Sequence, residues 1–292
     1  MFTISQLQLF SGIKAHTIRI WEQRYNALTP NRSEGNTRYY DNSQLRRLLN
    51  IVSLMNADYK VSQLCVMTDE ELFDILEKQL DSTIVTEDGN EYFISQLIAS
   101  GVSFDEVHFD KIFSNCMLRL GVRDCYLKII YPMLNRIGMM WANNTMSPVQ
   151  EHFISNIIRQ KLYTAIDSLP PSKNSNETWL LFLPENEFHD IGLLFASYII
   201  RQAGKKVVYL GNSVPYETIA IAVDEIQPTD LLLFLVHNDS PEYSQMYLDT
   251  LNNGFSKINV HIAGNEKLIS QLKLKKNCKW IKSVEDLEAM IA

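Results

Sequence analysis

The sequence predicts a multidomain α and α/β protein: an N-terminal winged helix-turn-helix, a four-helix bundle and a C-terminal five-stranded doubly wound parallel sheet. Three observations predict it. The first sixty residues carry short helical patterns, a Pro/Gly-containing loop and a basic-aromatic strand. Residues 91–169 repeat apolar side chains at three- and four-residue spacing with no convincing strand. From residue 178 onward, short bulky apolar runs alternate with helical patterns to the end of the chain.

A chain of 292 residues has room for two or three domains, and a hydrophobic content of 46% is that of an ordinary soluble protein. No apolar run approaches the roughly 18 residues of a membrane span. Met1 to Phe10 lacks a charged leader and a cleavage site, so the expected location is cytoplasmic, with no membrane partner. Cys65, Cys116, Cys125 and Cys278 are scattered without a Cys-x-x-Cys pair, which points to buried thiols rather than a zinc knuckle or disulfide framework. The net charge of -7 argues against nucleic acid, but its distribution argues the other way. Residues 1–60 hold eight Lys or Arg against four acids, giving +4 and leaving -11 for the rest. A basic head on an acidic body suits a protein in which one domain meets phosphates.

Ile4, Leu7 and Leu9 mark a first short helix, Ser11-Gly12 a turn, and Ile13, Ile18 and Trp21 the apolar face of a second helix. Leu28 to Asn36, with Pro30 and Gly35, reads as a loop leading to a short strand at Arg38-Tyr39-Tyr40, the wing. The run Thr17-Ile18-Arg19-Ile20-Trp21-Glu22-Gln23-Arg24-Tyr25, followed by Pro30, Arg32, Asn36 and Arg38-Tyr39-Tyr40, resembles the DNA-binding head of MerR-type regulators over about the first 70 residues. The resemblance implies a double-stranded operator as partner. Thr17, Arg19 and Arg24 would face the major groove, Arg38 and Tyr39 would bind the phosphate backbone, and Tyr25 is a further candidate contact. Trp21, Tyr25 and Tyr40 are also expected to build the small core of the head.

Two more helix patterns follow between Asp41 and Ile75, and the polar stretch 79–90 reads as a linker between a head of residues 1–78 and a bundle of residues 91–170. In the final domain, 177–292, strands are expected at 178–183, 206–210, 231–236, 258–263 and 279–281. Helices are expected near 191–203, 216–226, 241–253, 266–272 and 284–291.

Glu187-Phe188-His189-Asp190-Ile191-Gly192 falls between the first of these strands and its helix, so His189 sits at a strand's carboxyl end, where open α/β sheets place ligands. Glu187 can hold one ring nitrogen and leave the other for a metal. This Glu-x-His-x-x-Gly resembles the Asp-x-His-x-x-Gly motif of cobalamin-binding domains. The resemblance implies His189 as the lower axial ligand of cobalt and Glu187 as its orienting acid, with Asp190, Gly192 and Gly264 in the cofactor-binding set. Leu210-Gly211-Asn212-Ser213-Val214-Pro215 resembles the Leu-Gly…Pro loop of the same domains. Two further signatures depart from the pattern: Ser-x-Leu is Leu235-Val236-His237, and Gly-Gly is Ala263-Gly264-Asn265.

In the bundle, Trp141 followed by Glu151-His152 has the spacing of light-responsive cobalamin regulators of the CarH and LitR type. That resemblance implies that Trp141, Glu151 and His152 cover the upper face of adenosylcobalamin. Light would then cleave the cobalt-carbon bond and shift a dimer or tetramer off the operator. No catalytic set accompanies these motifs, and no enzyme activity is expected. Two other readings stand beside this one: a cobalamin-independent MerR-type regulator whose body serves oligomerisation or protein binding, and a corrinoid carrier for methyl transfer, which has no use for a basic winged head.

Overall fold

The computed structural model describes residues 2–32, 35–55, 59–82, 87–142, 146–172, 174–236 and 240–292. The chain divides into two compact units, Met1–Ile157 and Ile158–Ala292.

The first unit opens with α1 (Ile4–Ser11), begun by a capping box between Thr3 and Gln6 and closed at Gly12, whose φ of 72° suits the left-handed cap. Helix α2 (Ala15–Tyr25) buries Ile18 and Trp21 and presents its basic side chains outward. The wing is a two-stranded antiparallel ribbon, β1 (Asn31–Arg32) and β2 (Arg38–Tyr39). Its first strand lies inside the stretch expected as loop, because a two-residue strand leaves no alternation to detect. Tyr40 is fully buried and exchanges backbone hydrogen bonds of 2.6 and 2.8 Å with Phe2.

Helix α3 (Asn42–Met55) buries Leu45, Leu48, Leu49 and Val52. The second pattern expected before Ile75 is two helices, α4 (Val61–Leu64) and α5 (Asp69–Ser82). Arg47 explains the break. Its guanidinium donates to the carbonyls of Ala27 at 2.7 Å, Cys65 at 2.9 Å and Met67 at 2.8 Å, and pairs with Asp69 at 2.6 Å. The carbonyls that continued helix would have used point instead at one long-range cation.

The expected linker 79–90 is mostly helix: α5 runs to Ser82 and α6 (Glu87–Ser103) begins at Glu87, leaving 83–86 outside the described residues. Polar composition lowered the apolar signal, yet no proline interrupts either helix. The bundle continues with α7 (Glu106–Cys125), a π-helical turn at Tyr126–Ile130, α8 (Tyr131–Ala142) and α9 (Pro148–Asp167). Gly121, at φ 73° and ψ 168°, kinks α7. Head and bundle share the first unit: Gln96 of α6 donates to Asn50 and Ser53 of α3 at 3.3 and 2.9 Å, and Arg136 pairs with Glu91 at 2.6 Å.

The second unit holds β3 (Asn174–Pro184), β4 (Lys205–Val214), β5 (Asp230–Leu235), β6 (Asn259–Gly264) and β7 (Cys278–Trp280), all parallel in the order β4-β3-β5-β6-β7. Between them run α10 (Ile191–Gln202), α11 (Tyr216–Ile226), α12 (Pro241–Gly254) and α13 (Glu266–Ile269), and α14 (Val284–Ile291) closes the chain. One face of the sheet buries Leu180, Phe182, Leu231, Leu233, Val260 and Ile262 beneath α11 and α12. Two expectations are corrected. The stretch Gly211–Val214, expected as loop, is an irregular end of β4 whose register against β3 shifts. Helix α13 stops at Ile269, short of the expected 272. All four cysteines are buried thiols. Among the described residues, no helix is long and apolar enough to cross a membrane.

Candidate functional site

Strand β3 lies inside the sheet, with β4 on one side and β5 on the other. The chain leaves β3 through α10 to β4, then passes through α11 back across to β5. The carboxyl end of β3 is therefore a topological switch point, where a crevice opens between diverging connections. His189 occupies the loop at that point.

Glu187 organises this loop. It is buried, 5% exposed, and its carboxylate acts as an acceptor throughout. One oxygen accepts from the backbone N–H of Phe188 at 2.9 Å, from that of His189 at 3.0 Å and from His189 Nδ1 at 2.6 Å. The other accepts from Val236 N–H at the end of β5, at 3.0 Å. A carboxylate has no proton to give, so Nδ1 carries the proton of this bond. The imidazole side chain is 61% exposed. Held this way, the ring could take a metal only through Nε2.

The neighbouring strand ends are laced together. Ser213 N–H donates to the Glu187 carbonyl at 3.0 Å, and Asn265 N–H donates to the Leu235 carbonyl at 2.7 Å. Two glycines permit the approach. A Cβ on Gly192 would stand 2.8 Å from the Phe234 ring, and one on Gly264, at φ 121°, would stand 2.4 Å from the Leu235 carbonyl oxygen. Asp190, the residue before α10, makes no cap hydrogen bond; its buried carboxylate accepts from Arg159 Nε of α9 at 2.7 Å. Val236, Phe234 and Arg159 were missed by sequence reasoning, since each meets the loop from far along the chain. His237 lies outside the described residues.

In the first unit, Trp141 ends α8 with 57% of its surface exposed. Glu151 and His152 lie in the opening turns of α9, joined by a 2.8 Å contact between His152 Nδ1 and Glu151 Oε2, with Ser155 donating its hydroxyl to Glu151. Gln150 fixes this helix start by accepting from Ser147 N–H at 3.0 Å and donating to the Val102 carbonyl at 2.7 Å. His152 remains 72% exposed.

On the head, Arg19 and Arg24 are exposed, Thr17, Tyr25 and Tyr39 are half-buried, and Trp21 and Tyr40 belong to the core. Arg38 stands 3.4 Å from Glu22, which also accepts the Tyr40 hydroxyl. The wing arginine is thereby held against α2.

Residues 2–70 match the MerR HTH family regulatory protein model, and residues 93–165 match the B12 binding domain model. The chain carries a MerR-type regulatory head and a B12-binding domain. This regulator is similar to the HTH-type transcriptional repressor CarH of Myxococcus xanthus, 26% identical over 235 residues, covering 80% of this chain and 78% of that protein. It is also similar to the HTH-type transcriptional repressor CarA of the same organism, 25% identical over 240 residues, with 82% and 78% covered. In fold, it resembles the Methanosarcina barkeri monomethylamine corrinoid protein at a TM-score of 0.55 and 16% identity, across 69% of this chain and 97% of that one. The basic head separates this regulator from a carrier subunit. A corrinoid suits one feature of the residues present, an exposed imidazole held through Nδ1 by a buried carboxylate.

Proposed function

We propose that this MerR-type regulator represses transcription as a homo-oligomer, dimer or tetramer, with adenosylcobalamin as effector and light as the signal that relieves repression. The observation that carries the reading is the Glu187–His189 pair at the switch point, which fixes the exposed imidazole through Nδ1 at 2.6 Å. His189 is the proposed cobalt ligand. Gly192 and Gly264, proposed members of the cofactor-binding set, let Phe234 and Leu235 of β5 pack closely beside the loop, and Asp190 anchors it through Arg159. Trp141, Glu151 and His152 are the residues proposed to read the adenosyl group. When bound, adenosylcobalamin supplies a cobalt centre and a light-labile cobalt-carbon bond. The chain's own task is to prefer one assembly when that group is present, since a ligand shifts an equilibrium only by its differential affinity for the two states.

For DNA, Thr17, Arg19 and Arg24 are the proposed groove contacts, Arg38 and Tyr39 the wing contacts, and Tyr25 a contact at the end of α2. A single head offers too little surface for a long operator, which favours an assembly with repeated heads. No catalytic role is proposed for any residue. The test is size-exclusion chromatography with operator mobility shift, in the dark with adenosylcobalamin and again after green illumination. A larger, DNA-bound species in the dark that is lost in the light is the expected result. An oligomer size and DNA affinity indifferent to both cofactor and light would reject the proposal.

A further inference from the structure

Two like charges face each other across the wing. Arg38 of β2 lies directly opposite Arg32 of β1 in the antiparallel register, a placement in which arginines repel. Arg32 is held within the wing, its Nη1 donating to Asn36 Oδ1 at 2.5 Å. Arg38 is held from outside it, by Glu22 of α2, whose Oε2 stands 3.4 Å from Arg38 Nε.

An exposed ion pair of this kind would contribute little, but here the acid is buried. The Glu22 side chain is 7% exposed and that of Arg38 34%. The carboxylate is also fixed from behind: it accepts the hydroxyl of Tyr40, itself fully buried and tied to Phe2 by two backbone hydrogen bonds. Burial, and then the carboxylate beside it, push the Tyr40 pKa up, so the phenol stays a donor. The carboxylate approaches Arg38 at Nε, the inner nitrogen of the guanidinium. The Arg38 side chain makes no other hydrogen bond or ion pair among the described residues, which leaves its two terminal NH2 groups for an anion.

We infer that Glu22 is a positioning residue for DNA binding: without touching DNA, it holds the Arg38 guanidinium ready for a backbone phosphate. The inference rests on the wing contact proposed for Arg38. By charge alone an acid near DNA opposes binding. Glu22 offsets this by ordering a long side chain in advance, which for one such side chain corresponds to about two- to tenfold in affinity. Charge and positioning therefore predict effects of opposite sign.

The experiment is fluorescence anisotropy of the full chain on a fluorescein-labelled DNA duplex of mixed sequence, titrated at several salt concentrations, for the parent, Glu22→Gln, Arg38→Ala and the double variant. A mixed sequence suffices because phosphate contacts carry no sequence information. The Gln oxygen can still accept the Tyr40 hydroxyl, while its NH2 meets Arg38 donor to donor. Glu22→Gln should weaken binding about two- to tenfold with the parent's salt slope, since Arg38 still reaches the phosphate. Arg38→Ala should lower that slope by about one. Adding Glu22→Gln to Arg38→Ala should cause no further loss, whereas damage to the fold of the head would weaken binding in both backgrounds. Glu22→Gln that binds as tightly as the parent or tighter, or that loses the same factor in both backgrounds, would overturn the role of Glu22 and leave the Arg38 contact standing. Arg38→Ala with the parent's affinity and slope would instead remove the wing contact, and the inference with it.

Discussion

Replacing Glu187 with Gln keeps the length of the side chain and removes its charge, which isolates the hydrogen-bond hub beneath His189. The carboxylate accepts four bonds from a position only 5% exposed. An amide has one acceptor atom. If its oxygen serves the Phe188 and His189 donors, its NH2 faces Val236 N–H, two donors in a buried place; if it turns over, it opposes three. A hydrogen bond to a charged group contributes about 1.5–3 kcal/mol, and a buried donor left without a partner costs about 1–3 kcal/mol. These overlap rather than add, so the expected loss is about 2–4 kcal/mol. Glu187→Asp retains the charge but is one methylene short of spanning both His189 and Val236, and should lose about half as much. Urea unfolding followed by tryptophan fluorescence measures both, because Trp179 is buried in the same sheet. A loss under about 0.5 kcal/mol for Glu187→Gln, below one ordinary hydrogen bond, would refute the hub.

Gly192→Ala should destabilise the second unit by about 1–3 kcal/mol through overpacking on Phe234, and Phe234→Leu should recover most of it; equal losses with and without the second change would contradict the contact seen at 2.8 Å. Asp230 is buried, which alone would raise its pKa, but hydrogen bonds from His261, Thr229 and Asn259 outweigh burial and hold it below its ordinary value of 3.8. A depressed carboxylate contributes stability above its ordinary pKa and loses it as pH falls through the lower folded value. The melting-temperature gap between the parent and Asp230→Asn should therefore be constant near neutrality and shrink below about pH 4; a gap that widens in acid would reverse the assignment. Arg19→Ala should weaken operator binding about tenfold and lower the salt slope by about one, with the melting temperature unchanged. Unaltered affinity at moderate salt would remove Arg19 from the interface.

The strands and helices of the second unit were legible because buried parallel strands leave runs such as Leu231 to Leu235, bracketed by polar residues, and α11 keeps its helical spacing from Tyr216 to Ile226. What escaped depended on distance along the chain. The split of α4 from α5 rests on Arg47 reaching carbonyls 18 and 20 residues away. The kink at Gly121 and the π-helical turn after it carry no periodicity of their own. The site divides the same way. Glu187 and His189 are two residues apart, so their pairing could be read locally, whereas Val236, 49 residues from Glu187, needed the sheet to bring it there. The departure at Leu235-Val236-His237 takes on a meaning here: at Val236 the backbone N–H makes the contact, and it is available whatever the side chain. The Ala263-Gly264 departure retains the glycine whose φ of 121° and close approach to Leu235 leave no room for a side chain.

The most direct measurement is the absorbance spectrum of the full chain after dark incubation with adenosylcobalamin and desalting, taken in parallel for the parent and His189→Ala. The account predicts a retained corrinoid with imidazole-ligated cobalt in the parent, and loss of that spectral form in the variant. A parent that retains no corrinoid, or a variant whose spectrum matches the parent's, would contradict the claim that His189 makes this regulator a cobalamin sensor.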